Sequence, residues 1–328
     1  MTDLTAGMLQ RWQTHLVNGQ PLDLASEIMR LTYTIVGKTL LGADVGGDLS
    51  AVEHAMETVL THTFQSWGNV IDPPAYIPTP RNRRFRRAMQ ILDQIVYRII
   101  AEHCSGKGAS SDLLSMLLDV RDEQTGEGLS DAELRNETIT FLLAGHGTTA
   151  NALSWTFYLL SQNPDVERQL RAELAAVPDG GPLTVGHFPH LKFTTMVIQE
   201  SMRLYPPIWA MERRAMASDL MGGFHIPAGS SVVISPYVLH RNEKFWPNAE
   251  RFDPTRFSTR PHAYIPFGSG PRFCIGAEFA MMEARLIVPM VTQACHLELV
   301  PGRPVEPLPG ITLRPQNGLP MTVHPASQ

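Results

Sequence analysis

The chain has 328 residues, of which 43% are hydrophobic and 18% are charged, as is usual for a globular protein. Its formal net charge of −5 argues against general nucleic-acid binding. No stretch approaches the ~20 apolar residues that a membrane-spanning helix needs, and the first residues lack the pattern of a secretory signal. Three cysteines do not make a disulfide framework, so we expect a reducing, cytoplasmic location.

Apolar periodicity and capping residues predict that the first two-thirds of the chain is mainly helical. A proline-rich loop at residues 68–80 separates the third and fourth predicted helices and contains Ile71, Tyr76 and Ile77. Such a loop is either functional, for instance a mobile lid, or a plain surface connector, and the sequence favours neither. The predicted helices cover residues 2–17, 23–41, 49–66, 83–105, 131–161, 164–176 and 191–204.

After Pro206 the pattern changes to short strand-like pieces, such as residues 230–235, and then to an irregular stretch from 245 to 264. Helices first and small sheets later predict a mainly α architecture with small β-sheets, an α+β fold. We expect a single domain, residues 1–328, with a helix-rich part at 1–205 and small sheets, an irregular meander and a cysteine-containing loop at 206–328.

Residues 141–150 place Gly145 and Gly147 inside a long helical pattern. Each glycine costs roughly 1 kcal/mol relative to alanine in a helix interior. A helix accepts that cost when a ligand must pass close to its backbone, when it bends, or when small residues allow tight helix packing. Thr148 has two options: its hydroxyl bonds back to the carbonyl of Ala144 or faces a ligand in the groove.

Glu200 and Arg203 are three residues apart on a predicted helix that ends at the Pro206–Pro207 pair. Pairs with this spacing meet on one helix face, although most such pairs are solvated surface charges. Downstream, Arg256 lies in an aromatic- and proline-rich segment.

Cys274 is one of the three cysteines and lies in a glycine-containing loop immediately before a strong helix-forming segment. A thiolate at a helix N-terminus is favoured by free backbone N–H groups and by the helix dipole. The loop glycines allow close approach to a large flat group, and Arg272 can neutralise an anionic substituent. These features predict a cysteinate ligand to haem iron, whereas Cys104 and Cys295 are expected to be small core hydrophobes.

The spacing Phe-x-x-Gly-x-Arg-x-Cys-x-Gly, at Phe267, Gly270, Arg272, Cys274 and Gly276, resembles the haem-binding signature of the cytochrome P450 family. The resemblance covers essentially the whole chain, with the motifs in the family's order. It implies the cytochrome P450 fold and a haem b cofactor whose iron takes Cys274 as axial ligand.

The resemblance also implies roles for residues outside this loop. Ala144, Gly145 and Thr148 match the oxygen-binding groove of the family's central helix, but Gly147 replaces its usual acidic residue. Glu200, Arg203 and Arg256 match a buried structural triad. Arg213 and His240 match contacts to the haem propionates, although each is alternatively a solvated charge. Ile208, Trp209 and Ile311 match substrate-pocket positions, with ordinary core packing as the alternative.

The function that the resemblance implies is a haem-thiolate monooxygenase that inserts one atom of O2 into a lipophilic substrate. The sequence contains no flavin- or nicotinamide-binding signature, so electrons are expected from a separate ferredoxin or flavoprotein reductase. The chain is expected to begin inside the family's fold, because the helix carrying a propionate-binding Trp and Arg has no counterpart before Met1. The alternative is therefore a haem-binding, catalytically impaired, truncated remnant of such an enzyme.

Overall fold

The computed structural model describes residues 1–43, 49–68, 73–105, 112–178, 182–259 and 261–326. Ile71, which the sequence placed in the proline-rich loop, lies outside these residues. Within the described ranges, no helix combines the length and the apolar character needed to cross a membrane.

The predicted helices are present, most with ends within one or two residues of expectation. The fourth begins three residues earlier than predicted, because Thr79 caps it and Pro80 fits its first turn. The helices are α1 Thr2–Asn18, α2 Leu24–Leu40, α3 Leu49–Gly68, α4 Pro80–Cys104, α5 Leu113–Asp119, α6 Asp131–Gln162, α7 Pro164–Ala175, α8 Lys192–Leu204, α9 Pro236–Leu239 and α10 Ala277–Ala294.

Small antiparallel sheets lie mostly in the C-terminal part, and one short strand from residues 22–23 joins them. In the three-stranded sheet the order is β1–β9–β6, and the remaining strands form the pairs β2–β5, β3–β4 and β7–β8. The strands are β1 Leu22–Asp23, β2 Met211–Arg214, β3 Asp219–Met221, β4 Phe224–Ile226, β5 Ser231–Ile234, β6 Cys295–Leu299, β7 Pro307–Pro309, β8 Leu313–Pro315 and β9 Pro320–Pro325. The architecture is therefore mainly α with small β-sheets, as predicted.

The long helix α6 organises the interior. A capping box at Ser130 and Glu133 starts it, and its C-terminal half is buried on nearly every side. It packs along α2, α8 and α10, so α10, which follows the cysteine loop, contacts the helix that carries Thr148. Apolar residues of α6 contribute to two buried clusters, one shared with α1, α8 and α10 and one with α3 and α4.

Candidate functional site

The loop before α10 fixes Cys274 through its backbone. A short 3-10 turn, Gly270–Arg272, precedes the cysteine. The N–H of Cys274 donates to the carbonyl of Phe267 at 3.0 Å, and its own carbonyl accepts from Ala277 N–H at 3.3 Å. Gly270 has a φ of 68°, a left-handed conformation that favours glycine. The loop is therefore closed on itself, with the cysteine at the helix start.

The Cys274 side chain is exposed and has apolar neighbours in sequence. Phe273 and Ile275 are 56% and 89% exposed. A Cβ at Gly276 would lie 3.9 Å from Sγ, so a larger side chain there would extend towards the thiol. Arg272 is also exposed. The loop thus presents a thiol, two apolar side chains and one cation to the outside of the fold.

Glu200 and Arg203 form a buried ion pair on α8, and neither side chain is exposed. Arg203 Nε and Nη2 donate to the two Glu200 oxygens at 2.7 and 2.8 Å. Nη1 and Nη2 also donate to the carbonyls of His240 and Arg251 at 2.8 and 3.1 Å. Asp253 N–H donates to Glu200 Oε1 at 2.8 Å. The pair therefore connects α8 to the irregular segment that precedes the cysteine loop.

Arg256 completes the cluster at a longer distance. Its Nε lies 3.5 Å from Glu200 Oε1, which is an ion-pair contact without a hydrogen bond. Its two Nη atoms donate to the carbonyls of Pro247 and Asn248 at 2.6 and 2.9 Å. Burial raises the pKa of Glu200, and the hydrogen bond and charge of Arg203 oppose that rise. The structure brings together the three residues that the sequence predicted as a triad.

His240 is fully buried beside this cluster. Its Nε2 accepts a hydrogen bond from Ile265 N–H at 2.9 Å, which leaves the proton on Nδ1. Burial lowers the pKa of His240 to about 4, so the ring is neutral. A ring without exposed surface argues against the predicted propionate contact. Arg213, predicted for the same role, lies exposed on β2.

The helix groove contains Thr148 and Ala144, and the two glycines face different surroundings. Thr148 Oγ1 donates to the Ala144 carbonyl at 2.8 Å, the first of the two options open from sequence. A Cβ at Gly147 would meet nothing within 4 Å. At Gly145 it would lie 3.1 Å from Val36 Cγ2 of α2. Gly145 therefore lies close against α2, whereas Gly147 opens the helix surface, and the groove role of Gly145 stays a prediction.

His146 turns away from this open surface. Its ring meets Tyr33 of α2 edge-on, with centroids 5.6 Å apart, and Nδ1–H donates to the Leu142 carbonyl at 2.7 Å. Burial lowers the pKa of His146 to about 4. The ring is neutral and does not replace the acid that Gly147 lacks.

The three predicted pocket residues lie on segments that hydrogen bonds join. Trp209 Nε1 donates to the Gly310 carbonyl at 2.7 Å, and Leu313 N–H donates to the Pro207 carbonyl at 2.9 Å. Ile208 is therefore held beside the turn of the β7–β8 hairpin that carries Ile311. All three predicted side chains are half-buried.

Two residues of α6 that the sequence reasoning missed hold the same hairpin. Asn151 Nδ2 donates to Thr312 Oγ1 at 3.0 Å, and Trp155 Nε1 donates to the Leu313 carbonyl at 3.0 Å. A signal was present in the sequence, since an asparagine in an apolar helix segment needs a buried partner. The hairpin, the 207–209 segment and α6 thus form one connected wall.

The other cysteines differ from each other. Cys295 is buried in β6, as predicted, and burial raises its pKa to about 12. Cys104 is exposed at the end of α4, so the prediction that it is a core residue is wrong. Cys104 is the last residue of α4, and the last buried residue of this helix is Ile99.

A scan of the chain against protein-family models matches residues 1–320 to the cytochrome P450 model. The chain belongs to the cytochrome P450 family. Cyclooctatin synthase and cyclooctat-9-en-7-ol 5-monooxygenase from Streptomyces melanosporofaciens are each 34% identical to it, over 90% and 92% of this chain. Pentalenene oxygenase from Streptomyces avermitilis is 33% identical over 91% of this chain.

The chain spans 66% of the length of the two Streptomyces melanosporofaciens relatives and 67% of pentalenene oxygenase. Membership of the cytochrome P450 family confirms the resemblance that the cysteine motif predicted, together with the fold class. It also implies a haem cofactor.

Proposed function

We propose that this cytochrome P450 is a haem-thiolate monooxygenase with Cys274 as the axial ligand of haem b. The observation that carries the proposal is the exposed thiol at the N-terminus of α10, in a loop closed by the Phe267–Cys274 backbone bond. The start of α10 has no side-chain cap, so its first N–H groups are not taken by a capping side chain.

The residues around the thiol fit a porphyrin. Phe273 and Ile275 offer apolar contact beside the sulfur, and Arg272 and Arg213 are exposed cations for the propionates. On α6, the space at Gly147 leaves the helix backbone open to a planar group. We assign His240 to the scaffold, with Glu200, Arg203 and Arg256.

Cys274 would hold the haem iron through its sulfur, and the bound haem would supply the chemistry of O2 activation. The protein's own contribution is positional. Thr148 holds its hydroxyl proton against the Ala144 carbonyl, from where it would be available for transfer through water to a bound reactant. Because Gly147 supplies no acid, proton delivery relies on this hydroxyl and on solvent.

We propose a lipophilic organic substrate. Ile208, Trp209 and Ile311 supply apolar surface on the connected wall, which suits such a ligand. The names of two relatives denote the oxygenation of pentalenene and of cyclooctat-9-en-7-ol, an alkene and an alkenol. A separate ferredoxin or flavoprotein reductase in the cytoplasm would supply electrons to this single-domain enzyme.

Reconstitution with haem, followed by reduction and addition of carbon monoxide, tests the ligand. We expect the long-wavelength Soret band of thiolate ligation, and we expect Cys274→Ala to abolish it. Cys104→Ala, which removes another exposed thiol, is the matched control and should leave the band intact. A histidine-type Soret band in the wild type, or an unchanged band in Cys274→Ala, would refute the assignment. A thiolate spectrum without product from any reductant or peroxide would instead favour the remnant.

A further inference from the structure

Two histidines lie opposite each other on the three-stranded sheet. His296 of β6 is the register partner of His324 of β9. Residues that are directly opposite in an antiparallel pair project from the same face of the sheet. Here that face is the outer one, because the neighbouring residues Leu297 and Val323 are buried. The centroids of the two imidazole rings are 6.2 Å apart. The sheet therefore presents two side chains of a metal-ligating type side by side.

A carboxylate from another element holds His296. Its Nδ1 lies 3.0 and 2.9 Å from Oε1 and Oε2 of Glu167 on α7, a buried residue. Arg171 Nη2 donates to the same carboxylate at 2.6 Å, so this group is held from both sides. Because a carboxylate accepts hydrogen bonds, the ring proton of His296 is on Nδ1, and Nε2 of the neutral ring has a lone pair. Metal-ligating histidines have this arrangement, with one N–H donated to a carboxylate and the other nitrogen bound to the ion.

His324 has a nitrogen without a hydrogen bond. Its Nε2 is covered by the surrounding atoms and has no hydrogen-bond partner among the described residues. Glu298 Oε2 lies 3.2 Å away, which is an ion-pair contact without the geometry of a hydrogen bond. Covered polar atoms without a partner are few in folded proteins, and a bound ion is one of the usual reasons for them. His324 thus has a ligand atom that no hydrogen bond of the described structure uses.

The distance between the rings suits two ligands of one ion. In the part of the chain that the structure describes, no group of three or more His, Cys, Asp or Glu side chains is arranged to hold a metal ion, which leaves a site of two histidines. With Zn–N bonds of about 2.0–2.1 Å and tetrahedral geometry, the centroids of two rings on one ion are about 5 Å apart. The side chains of His296 and His324 are 33% and 43% exposed, so rotations about their side-chain bonds can bring the rings closer without moving the strands.

We propose that His296 and His324 together bind a divalent transition-metal ion such as Zn²⁺. Imidazole nitrogen suits zinc, copper and nickel, whereas magnesium and calcium prefer oxygen ligands. Water would complete the coordination, and Glu298 is a carboxylate on the same face that can offset the charge of the ion. The ion would join β6 to β9, the strand that also pairs with β1. The inference goes beyond the proposed function and requires neither haem nor turnover.

Isothermal titration calorimetry of the full chain with Zn²⁺, with and without haem, tests the proposal. We expect a site that His296→Ala and His324→Ala each weaken by more than about ten-fold, because the second ligand of a chelate acts at a high effective concentration. Glu167→Gln retains an acceptor for the Nδ1–H group but lacks the charge, and should weaken binding roughly ten-fold. Binding should also weaken as the pH falls, because protons and the metal ion compete for the same nitrogens.

Nitrogen-15 NMR of the histidine side chains identifies the ligand atoms in the wild-type protein. We expect Zn²⁺ to shift Nε2 of His296 and one ring nitrogen of His324, while Nδ1 of His296 stays protonated. A matched control removes two exposed histidines on other segments, His190 and His225, and should leave the affinity for Zn²⁺ within a few-fold of wild type. Cys104→Ala, which removes an exposed thiol, should do the same. Circular dichroism verifies that each variant is folded.

Three results would overturn the proposal. The first is wild-type protein that binds Zn²⁺ no more tightly than the variant without both histidines of the sheet, which would leave two ordinary ion pairs. The second is an equal loss of affinity in the matched control, which would indicate adventitious binding to surface histidines. The third is a spectrum in which Zn²⁺ shifts the nitrogens of neither ring. None of these outcomes depends on the haem spectrum, so they remain separate from the test of Cys274.

Discussion

Replacing Arg203 by methionine would leave a buried carboxylate without its partner. Glu200 and Arg203 have no exposed side-chain surface, and the arginine makes four hydrogen bonds through three nitrogen atoms. Removing one member of a buried ion pair costs ~3–5 kcal/mol, since the remaining charge keeps its desolvation penalty. Arg256, 14% exposed and 3.5 Å from Glu200, would relieve only part of it. We therefore expect Arg203→Met to lower the free energy of unfolding by ~3–5 kcal/mol.

The loss should depend on pH. Burial already raises the pKa of Glu200, and removing Arg203 takes away the group that opposes this rise. A carboxyl whose pKa is raised in the folded state stabilises the fold most at pH values below its ordinary pKa, and loses that contribution as the pH rises through the raised value. The difference between wild type and Arg203→Met should thus be largest above neutral pH and should shrink as the pH falls towards the ordinary pKa of glutamate.

Urea titrations followed by tryptophan fluorescence, repeated across this pH range, measure the difference. The double variant Glu200→Gln with Arg203→Met carries no buried charge and should recover more than half of the loss. A single variant that costs under 1 kcal/mol, a cost independent of pH, or a double variant no better than the single one would contradict this account of the pair.

Three further predictions concern other positions of the fold. Gly147→Ala, with open space at its Cβ, should stabilise the haem-free protein by ~1 kcal/mol in urea titrations. Gly145→Ala should stabilise it less, because its Cβ would lie 3.1 Å from a side chain of α2. Equal increases in stability would contradict the difference in surroundings of the two glycines. Burial raises the pKa of Glu283 to about 8. As the pH rises from about 5 to about 8, the free energy of unfolding of the wild type should therefore fall by up to ~1.4 kcal/mol per pH unit relative to Glu283→Gln. Parallel curves of stability against pH for the two proteins would contradict this prediction. Trp155→Phe leaves the Leu313 carbonyl without the donor that lies 3.0 Å away and should cost ~1–3 kcal/mol, whereas an unchanged urea midpoint would show that water replaces the bond.

Element positions followed from the sequence where periodicity and caps agreed. Ser130 and Glu133 form a capping box at the start of α6, and the prediction placed that start correctly. Helix α5, Leu113–Asp119, was missed because seven residues with apolar side chains around most of the helix show no amphipathic period. Its formation depends on packing against α2, α4 and α6, which no local pattern reveals.

For the site residues too, features set by neighbouring residues were predicted and features set by distant packing were not. The spacing around Cys274 predicted the loop, because its chemistry resides in neighbouring residues. The difference between Gly145 and Gly147 could not be predicted, since it depends on which side of α6 faces α2. The burial of His240 was equally hidden, because its hydrogen-bond partners lie 25 and 37 residues away in the chain.

These distant contacts connect the buried ion pair to the thiol. Arg203 donates to the His240 carbonyl, His240 Nε2 accepts from Ile265 N–H, and the Ile265 carbonyl accepts from Gly268 N–H at 3.1 Å. Gly268 follows Phe267, whose carbonyl receives the N–H of Cys274. A chain of hydrogen bonds thus links α8 to the backbone at Cys274. A change at Arg203 should consequently loosen the cysteine loop and weaken haem retention, although the four hydrogen bonds of that arginine go to residues outside the loop.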